Sequence, residues 1–214
     1  HIPFSVAALI GCGFATGYGA ATRSLTIESD SVVAIYGLGG VGISAVIGAK
    51  KMQPKKIIGF DVKKVNCNNA KSFGADIVMD PTNNLKKQKI IDKLTNGRGF
   101  DCAVEATGSE QAFQMAFEDL RPGGALAAVG AYQTDYLKIK GREFHRLGKA
   151  VRACFYGDFN PVMGLHDLAN DYQKSHLPID EMIITRIKLD EINSAIDQMD
   201  AADVSNAGRI VIEF

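Results

Sequence analysis

The sequence predicts an α/β protein in which helices cover both faces of a parallel sheet. Five short β-branched or apolar runs recur between residues 31 and 130, and each is bounded by Gly, Pro, Asn or Asp. Most of the intervals between these runs carry apolar residues at helical spacing. Apolar strands that alternate with amphipathic helices are typical of a parallel sheet buried on both faces.

The predicted strands follow one another at nearly constant intervals along the chain. They are Ser31–Tyr36, Lys56–Phe60, Asp76–Met79, Phe100–Glu105 and Ala125–Gly130. After about residue 155 the pattern changes to a helix, a strand, a second helix and a closing strand. These elements are Pro161–Lys174, Met182–Leu189, Asp190–Met199 with Asp190 as its N-cap, and Arg209–Phe214. Because this tail and the glycine-rich start do not fit the winding pattern, we expect remnants of a second domain.

Composition places the chain among ordinary globular proteins. Its 214 residues are 46% hydrophobic and 22% charged, which excludes a disordered chain, a coiled coil and a collagen-like fibre. The 24 basic and 24 acidic side chains cancel, which argues against nucleic acid as a partner. The four cysteines form no Cys-x-x-Cys pair, so we expect reduced thiols in a cytoplasmic protein. Cys67, Cys102 and Cys154 are predicted to be small buried residues.

The N-terminal segment Ile2–Thr22 carries no charge and is about long enough to span a bilayer. Its glycines and hydroxyl side chains make it only weakly apolar, and no basic segment precedes it. We therefore expect a buried helix with close backbone contacts and no membrane partner. Because the chain begins with His1 rather than Met, we also expect a piece of a longer protein.

The first strand leads into Gly37-Leu38-Gly39-Gly40-Val41-Gly42, which has Gly-x-Gly-x-x-Gly spacing. In such a turn the first glycine makes a tight bend, the second lets the backbone approach a pyrophosphate, and the third packs the helix on the strand. Free N–H groups at the helix start face the phosphate oxygens. The spacing alone fits a bare glycine turn equally well, but here a strand precedes it and a helix follows. This context predicts a Rossmann-type doubly wound sheet.

Asp61 closes the second predicted strand, about 20 residues beyond the last glycine of the turn. A carboxylate there can accept hydrogen bonds from the adenosine ribose and would repel a 2′-phosphate, so NAD is predicted rather than NADP. The alternative is an ordinary surface-loop aspartate. Lys63 and Lys64 could attract a 2′-phosphate, but a solvent-exposed role suits them better.

Cys12 lies between two glycines, and from spacing alone it is more typical of a structural residue than of a metal ligand. A catalytic zinc takes three protein ligands and keeps one position open. The sequence supplies no obvious partner for Cys12, since its four histidines are isolated from one another.

Several motifs together resemble those of the zinc-dependent medium-chain alcohol dehydrogenases. They are Gly11-Cys12-Gly13, Thr16-Gly17-Tyr18-Gly19, the glycine-rich turn, Asp61, Lys71–Asp76, Phe100–Gly108, Arg121–Gly124 with Val129-Gly130, Leu189–Asn193 and Gly208-Arg209. The resemblance covers nearly the whole chain. It implies hydride transfer between an alcohol or aldehyde and NAD, with zinc as a second cofactor.

The resemblance also implies how the chain is divided. Residues 1–13 would end an N-terminal catalytic part, residues 14–154 would form the dinucleotide-binding domain, and residues 155–214 would return to the catalytic domain. Cys12 would be the third ligand of the catalytic zinc, with the other two in an N-terminal part that this chain lacks. We therefore expect the chain alone to be inactive. The exposed sheet edge and the apolar run Val151–Phe155 predict a homo-oligomer.

Further site residues are implied by the same resemblance. They are Thr16 at the nicotinamide, the backbone of Val129, Gly130 and Ala131 at its carboxamide, Phe155 nearby, Ala106 and Thr107 in the cofactor cleft, and Arg209 at the pyrophosphate. From the residues themselves, Val129 and Phe155 could equally be core residues and Arg209 a solvated charge. Asn66 departs from the family, which commonly has Lys or Arg there, and this predicts looser binding of NAD.

Three other functions remain open from the sequence. A zinc-free reductase of the same superfamily usually lacks a cysteine at the position of Cys12. A methyltransferase also places an acid after its second strand, but its turn normally reads Gly-x-Gly-x-Gly and its sheet ends in an antiparallel hairpin. A nucleotide-sensing module would bind NAD without catalysis.

Overall fold

A six-stranded parallel sheet forms the centre of the molecule in a computed structural model, which describes residues 2–160, 163–200 and 208–214. The strands are β1 (Val32–Tyr36), β2 (Lys56–Phe60), β3 (Ile77–Met79), β4 (Phe100–Glu105), β5 (Leu120–Ala128) and β6 (Ala150–Ala153). Their order is β3-β2-β1-β4-β5-β6, and every neighbouring pair is parallel. The predicted Rossmann-type fold is confirmed.

The strand order reverses between β1 and β4, and this reversal positions the site. At such a switch point the loops that leave the carboxyl ends of the strands diverge and open a crevice. Tyr36 is in register with Phe60 on one side and with Glu105 on the other. The residues that follow these three strands, Asp61 among them, therefore meet at one edge of the sheet.

Helices cover both faces of the sheet. They are α1 (Phe4–Ser24), α2 (Gly40–Lys51), α3 (Lys64–Ser72), α4 (Asn84–Thr95), α5 (Glu110–Glu118), α6 (Gly141–Arg146), α7 (Met163–Ser175) and α8 (Ile192–Asp200). Successive residues of β1 alternate between two apolar cores. Val33 and Ile35 pack with residues of α1, α2 and α3, whereas Val32, Ala34 and Tyr36 pack beneath α4 and α5.

Helix α1 contains the uncharged N-terminal segment and two π-helical turns, Ile10–Phe14 and Ala20–Ser24. Its length and a mean hydropathy of 1.4 would suffice to cross a membrane, and 56% of this apolar stretch is buried inside the protein. Gly17 lets α1 approach α2 closely, because a Cβ there would overlap the carbonyl oxygen of Val41. The predicted buried helix with close backbone contacts is present.

Two of the differences from the sequence-based expectation have a clear physical reason. β5 begins at Leu120 rather than Ala125, because Phe100 pairs with Leu120 ahead of a register shift that accommodates Pro122 and the glycines after it. The prediction of Asp190 as a helix N-cap is wrong. Leu189–Glu191 form a 3₁₀ turn, and the N–H of the preceding Lys188 donates to Glu191 Oε2 at 2.8 Å.

The C-terminal region contains a second, smaller sheet, and its apolar residues join the core formed by α1, α2 and α3. Strands β7 (Ile183–Ile187) and β8 (Arg209–Ile212) pair in parallel as a separate two-stranded sheet. Helix α7 confirms the helix predicted from Pro161, although residues 161 and 162 lie outside the described part of the chain. The division after residues 13 and 154 stays a prediction.

Candidate functional site

The glycine-rich turn joins β1 to α2, and two of its positions require glycine. Gly37 has a φ of 87°, in the left-handed region that side chains rarely adopt. A Cβ on Gly42 would overlap the carbonyl oxygen of Gly37, so the first turn of α2 lies directly on the loop. Gly39, by contrast, is exposed, and a Cβ there would meet nothing within 4 Å. This open space lets a phosphate approach the backbone.

Asp61 is fixed by hydrogen bonds at the end of β2. Its carboxylate accepts from the N–H of Leu38 at 2.7 Å, the N–H of Lys63 at 2.8 Å and the side-chain amide of Asn66 at 2.9 Å. The side chain of Leu38 is buried, so this residue takes part through its main chain. The half-buried carboxylate lines the crevice, and its orientation is set before any ligand binds.

A cavity of about 220 Å³ lies beside Asp61 and is largely apolar. Phe60, Val62, Pro81 and Met115 contribute apolar walls, and Thr107 also lines the cavity. Its size and its apolar walls with few polar groups suit a flat heteroaromatic base.

Arg209 begins β8, and its guanidinium lies against the first turn of α2. A Cβ added to Gly40 or to Gly13 would overlap this guanidinium, so the cation contacts both the glycine-rich turn and α1. No ion pair within the described residues includes Arg209. Because a helix N-terminus carries about half a positive charge, two positive groups meet here, and no carboxylate of the described residues pairs with the guanidinium.

Glu105 ends β4 and is a residue that sequence reasoning did not single out for the site. It is fully buried, and its Oε1 accepts from the N–H of Thr107 at 2.6 Å and the N–H of Gly108 at 3.1 Å. Its backbone oxygen accepts from the N–H of Val129 at 2.9 Å and of Gly130 at 3.1 Å. The available signal was a carboxylate at the end of an otherwise largely apolar buried strand.

Glu105 thereby joins the two loops that carry five of the predicted cofactor residues. These residues are Ala106, Thr107, Val129, Gly130 and Ala131. The N–H of Ala106 donates to the carbonyl oxygen of Tyr36 at 2.8 Å, which holds the first loop beside β1. In the second loop Val129 packs partly against the core and Ala131 is exposed.

The residues predicted for the zinc and nicotinamide end are more exposed. Cys12 is exposed on α1, and the hydroxyl of Thr16, one turn later, donates to the carbonyl oxygen of Cys12 at 2.9 Å. Phe155 is 90% exposed, so it is not a core residue. Within the described ranges no three His, Cys, Asp or Glu side chains are grouped to hold a metal ion. Cys12 by itself does not form a zinc site.

An unusual turn links Phe155 to α1. Tyr156, Gly157 and Asp158 have φ values of 55°, 70° and 52°, all in the left-handed region. The hydroxyl of Tyr156 donates to the carbonyl oxygen of Gly11, beside Cys12. The turn therefore fixes the C-terminal region against the helix that carries Cys12 and Thr16.

A buried polar network lies beneath the adenine-sized cavity. Lys87 Nζ and the hydroxyl of Tyr36 both donate to Asp119 Oδ2, at 2.7 and 2.5 Å. Burial, followed by the charge of Asp119, raises the pKa of Tyr36 well above its ordinary value. Cys67, Cys102 and Cys154 are buried as predicted. Burial raises the pKa of the Cys102 thiol to about 11.

Comparison with known proteins decides the family. The model of the zinc-binding dehydrogenase family matches residues 40–171. The chain belongs to this family. It is 31% identical over 199 residues to alcohol dehydrogenase 2 of Oryza sativa subsp. japonica and 33% identical over 199 residues to alcohol dehydrogenase 1 of Pisum sativum. Both alignments cover 92% of this chain and 52% of the relative.

Among solved structures, benzyl alcohol dehydrogenase from Acinetobacter calcoaceticus matches this zinc-binding dehydrogenase with a TM-score of 0.88 at 27% identity. The match covers 100% of this chain and 57% of that one. The chain therefore spans about half the length of the relatives it matches. The predicted membership of the zinc-dependent medium-chain alcohol dehydrogenases is confirmed.

The two cofactors expected for a zinc-binding dehydrogenase fit this chain unequally. The crevice has the features that a dinucleotide needs: open backbone at Gly39, the cation of Arg209, the carboxylate of Asp61 and an apolar cavity. Zinc does not fit the described residues as a set, because Cys12 belongs to no group of potential ligands. No chemical step is therefore assigned to zinc in this chain.

Proposed function

We propose that this chain is the NAD-binding portion of a zinc-dependent alcohol dehydrogenase. The observation that carries the proposal is the guanidinium of Arg209 at the N-terminus of α2, with no carboxylate partner among the described residues. Two positive groups in contact are unfavourable unless an anion lies between or beside them. The pyrophosphate of NAD is an anion of the required size and charge.

The remaining contacts of NAD follow along the crevice from this anchor. Asp61 would accept from the adenosine ribose, and the adenine would enter the 220 Å³ cavity beside it. In the other direction, the backbone of residues 129–131 would hold the nicotinamide carboxamide, and Thr16 would contact the nicotinamide. The exposed ring of Phe155 would lie at this end.

We infer that NAD is preferred over NADP. The Asp61 carboxylate is fixed by Leu38, Lys63 and Asn66, so it cannot easily turn away from a 2′-phosphate. Lys63 and Lys64 are exposed, and solvent screens their attraction for that phosphate. Repulsion by a fixed, partly buried carboxylate therefore outweighs attraction by solvated lysines.

We infer that the whole protein oxidises an alcohol to an aldehyde. A hydride passes from the alcohol to NAD and a proton is released, and the reverse reaction uses the aldehyde as substrate. The relatives named alcohol dehydrogenase support this inference. NAD supplies the chemistry of hydride acceptance at its nicotinamide ring. This chain binds and orients the dinucleotide, and it forms part of the wall that excludes water from it. The chain alone is expected to bind NAD without oxidising alcohols.

We also propose that the protein is a cytoplasmic homo-oligomer. Strand β6 lies at the edge of the sheet, and its residues are half-buried or exposed, which leaves hydrogen-bonding groups for a second copy. The four free cysteines are typical of a reducing compartment.

The direct test is fluorescence titration of the chain with NADH and with NADPH. We expect NADH to bind at least about tenfold more tightly than NADPH, and Asp61→Ala to weaken NADH binding about tenfold. Asp190→Ala, which replaces an exposed aspartate distant from the crevice in sequence, is the matched control and should leave binding unchanged. Failure of the wild-type chain to bind NADH would contradict the proposed function. Equal affinities for the two nucleotides would contradict only the preference for NAD.

A further inference from the structure

Glu105 is a buried carboxylate whose partners within the described residues are all neutral. It is 0% exposed, and no ion pair in the described part of the chain includes it. A buried anion without a cation is tolerated only when hydrogen-bond donors satisfy its oxygens. The donors around Glu105 therefore hold fixed positions.

The two carboxylate oxygens of Glu105 hold different loops. Oε1 accepts from the N–H and the hydroxyl of Thr107 and from the N–H of Gly108, all in the loop after β4. Oε2 accepts from the hydroxyl of Tyr132, in the loop after β5. A Cβ on Gly130 would lie 2.6 Å from Oε2, so the backbone of this second loop packs directly on the carboxylate.

Tyr132 is anchored at both ends of its side chain. Its ring meets the ring of Phe113 edge to face, with centroids 5.8 Å apart and an interplanar angle of 87°. Burial, and then the hydrogen bond to Glu105, raise the pKa of Tyr132 well above its ordinary value, so the hydroxyl remains a donor. Glu105 and Tyr132 thus form one link between β4 and the loop of residues 129–132.

We propose that Glu105 is a positioning residue that holds the loop of residues 129–132 through Tyr132 and thereby fixes the nicotinamide end of the crevice. The inference rests on the proposed binding of NAD. Of the two carboxylate oxygens only Oε1 contacts the loop of residues 106–108, and Ala106 also bonds to β1, so the adenosine end keeps its contacts when the link through Oε2 is lost. Loss of the link through Oε2 therefore weakens the contacts of the nicotinamide half while the adenosine half keeps its contacts.

The test compares NADH with ADP-ribose, which lacks the nicotinamide, by calorimetric titration of the 214-residue chain. Tyr132→Phe removes only the hydroxyl, and we expect it to weaken NADH binding about tenfold while ADP-ribose binding changes less than about twofold. Thr107→Val is the matched control on Oε1. It should change the affinities for NADH and ADP-ribose by the same factor.

A second variant tests whether Glu105 acts through Tyr132, and it does so even if Tyr132→Phe does not fold. Glu105→Gln keeps its amide oxygen at the Oε1 position, where two N–H groups donate, so its NH2 group faces Tyr132. The charge-assisted bond at Oε2 becomes a neutral one in which the Tyr132 hydroxyl accepts, and NADH should weaken more than ADP-ribose. The double variant should be no weaker than the worse single variant. Parallel losses for NADH and ADP-ribose, no loss for NADH, or additive effects would overturn the positioning role. Failure of the wild-type chain to bind either nucleotide would instead contradict the proposed function.

Discussion

The dinucleotide crevice and the exposed face of α1 differ in how completely this chain builds them. In the crevice, Asp61 and Glu105 each accept several hydrogen bonds from neighbouring loops. On the face of α1, Cys12 is exposed and lies in no ligand group among the described residues, and Phe155 is 90% exposed. The chain thus preorganises the crevice that we propose binds NAD, whereas the proposed zinc site needs ligands that the described residues do not provide.

The difference has a physical origin in the topology. Three adjacent parallel strands end at the same edge of the sheet, so the residues after β1, β2 and β4 meet wherever the sheet forms. A zinc site instead needs three side chains, each positioned to within a fraction of an ångström, and no single sheet edge provides them. The crevice is therefore specified by the topology of the sheet, whereas a zinc site would require ligands beyond those that the described residues group together.

The largest expected effect follows from the turn itself. Gly42→Ala places a methyl group on the carbonyl oxygen of Gly37, so we expect a loss of about 3 kcal/mol in the free energy of unfolding and loss of NADH binding. Gly11→Ala is the matched control in a helix, because a Cβ at Gly11 meets nothing within 4 Å. Gly11→Ala should raise the free energy of unfolding by up to about 1 kcal/mol. Urea unfolding that gave both variants equal stability would contradict the close packing of the turn.

The next effect concerns the cation of the crevice. Arg209→Gln should weaken both NADH and ADP-ribose about tenfold, because the pyrophosphate common to both loses a charged partner. Stability should change by less than about 0.5 kcal/mol, since no ion pair within the described residues is broken. Arg186→Gln, in the same two-stranded sheet, is the control and loses only an exposed pair with Glu213. Equal losses of NADH affinity in Arg209→Gln and Arg186→Gln would contradict the anion site. So would a salt dependence of NADH binding by Arg209→Gln that is unchanged from the wild type.

The features that sequence predicted best are those set by short stretches of chain. The bounds of β2 and β4 match the apolar runs, and the function of Gly37 as a tight bend follows from a strand that precedes it. β5 was predicted to begin too late, because Pro122 and the glycines beside it normally end a strand. Here they lie at a bulge, which depends on the neighbouring strand and not on the local sequence.

The features that sequence could not predict join distant parts of the chain. The link from Glu105 to Tyr132 and the ion pair of Lys87 with Asp119 connect segments that only the fold brings together. Arg209 is assigned to the pyrophosphate by resemblance alone, and its contact with the glycine-rich turn depends on the packing of β8 against α1. Neither periodicity nor composition contains that information.

A smaller effect is expected on the pH dependence of the free energy of unfolding. Folding raises the pKa of Tyr36 and of Tyr132, so the folded chain keeps protons that unfolded tyrosines lose above pH about 10. The free energy of unfolding should therefore fall as the pH rises. The three buried thiols, whose pKa values are also raised, contribute from pH about 8.5, and each of the two tyrosines adds about 1.4 kcal/mol per pH unit above pH about 10. Urea unfolding at a series of pH values from about 8 to about 11 measures the slope. Tyr36→Phe should reduce this slope by about 1.4 kcal/mol per pH unit, the contribution of one proton. An unchanged slope would contradict the buried network around Tyr36.

The smallest effect is expected at Cys12, and it tests whether the two regions are independent. Cys12→Ser should leave NADH affinity and the free energy of unfolding within about 0.5 kcal/mol of the wild type, because an exposed thiol contributes little packing. With a thiol reagent at neutral pH, the native chain should show one fast-reacting thiol, which the variant lacks. The three buried cysteines should react only on unfolding, since burial removes access and raises the pKa of each thiol. A tenfold loss of NADH affinity in Cys12→Ser would mean that α1 shapes the crevice directly, and the separation between binding and catalytic regions would not hold.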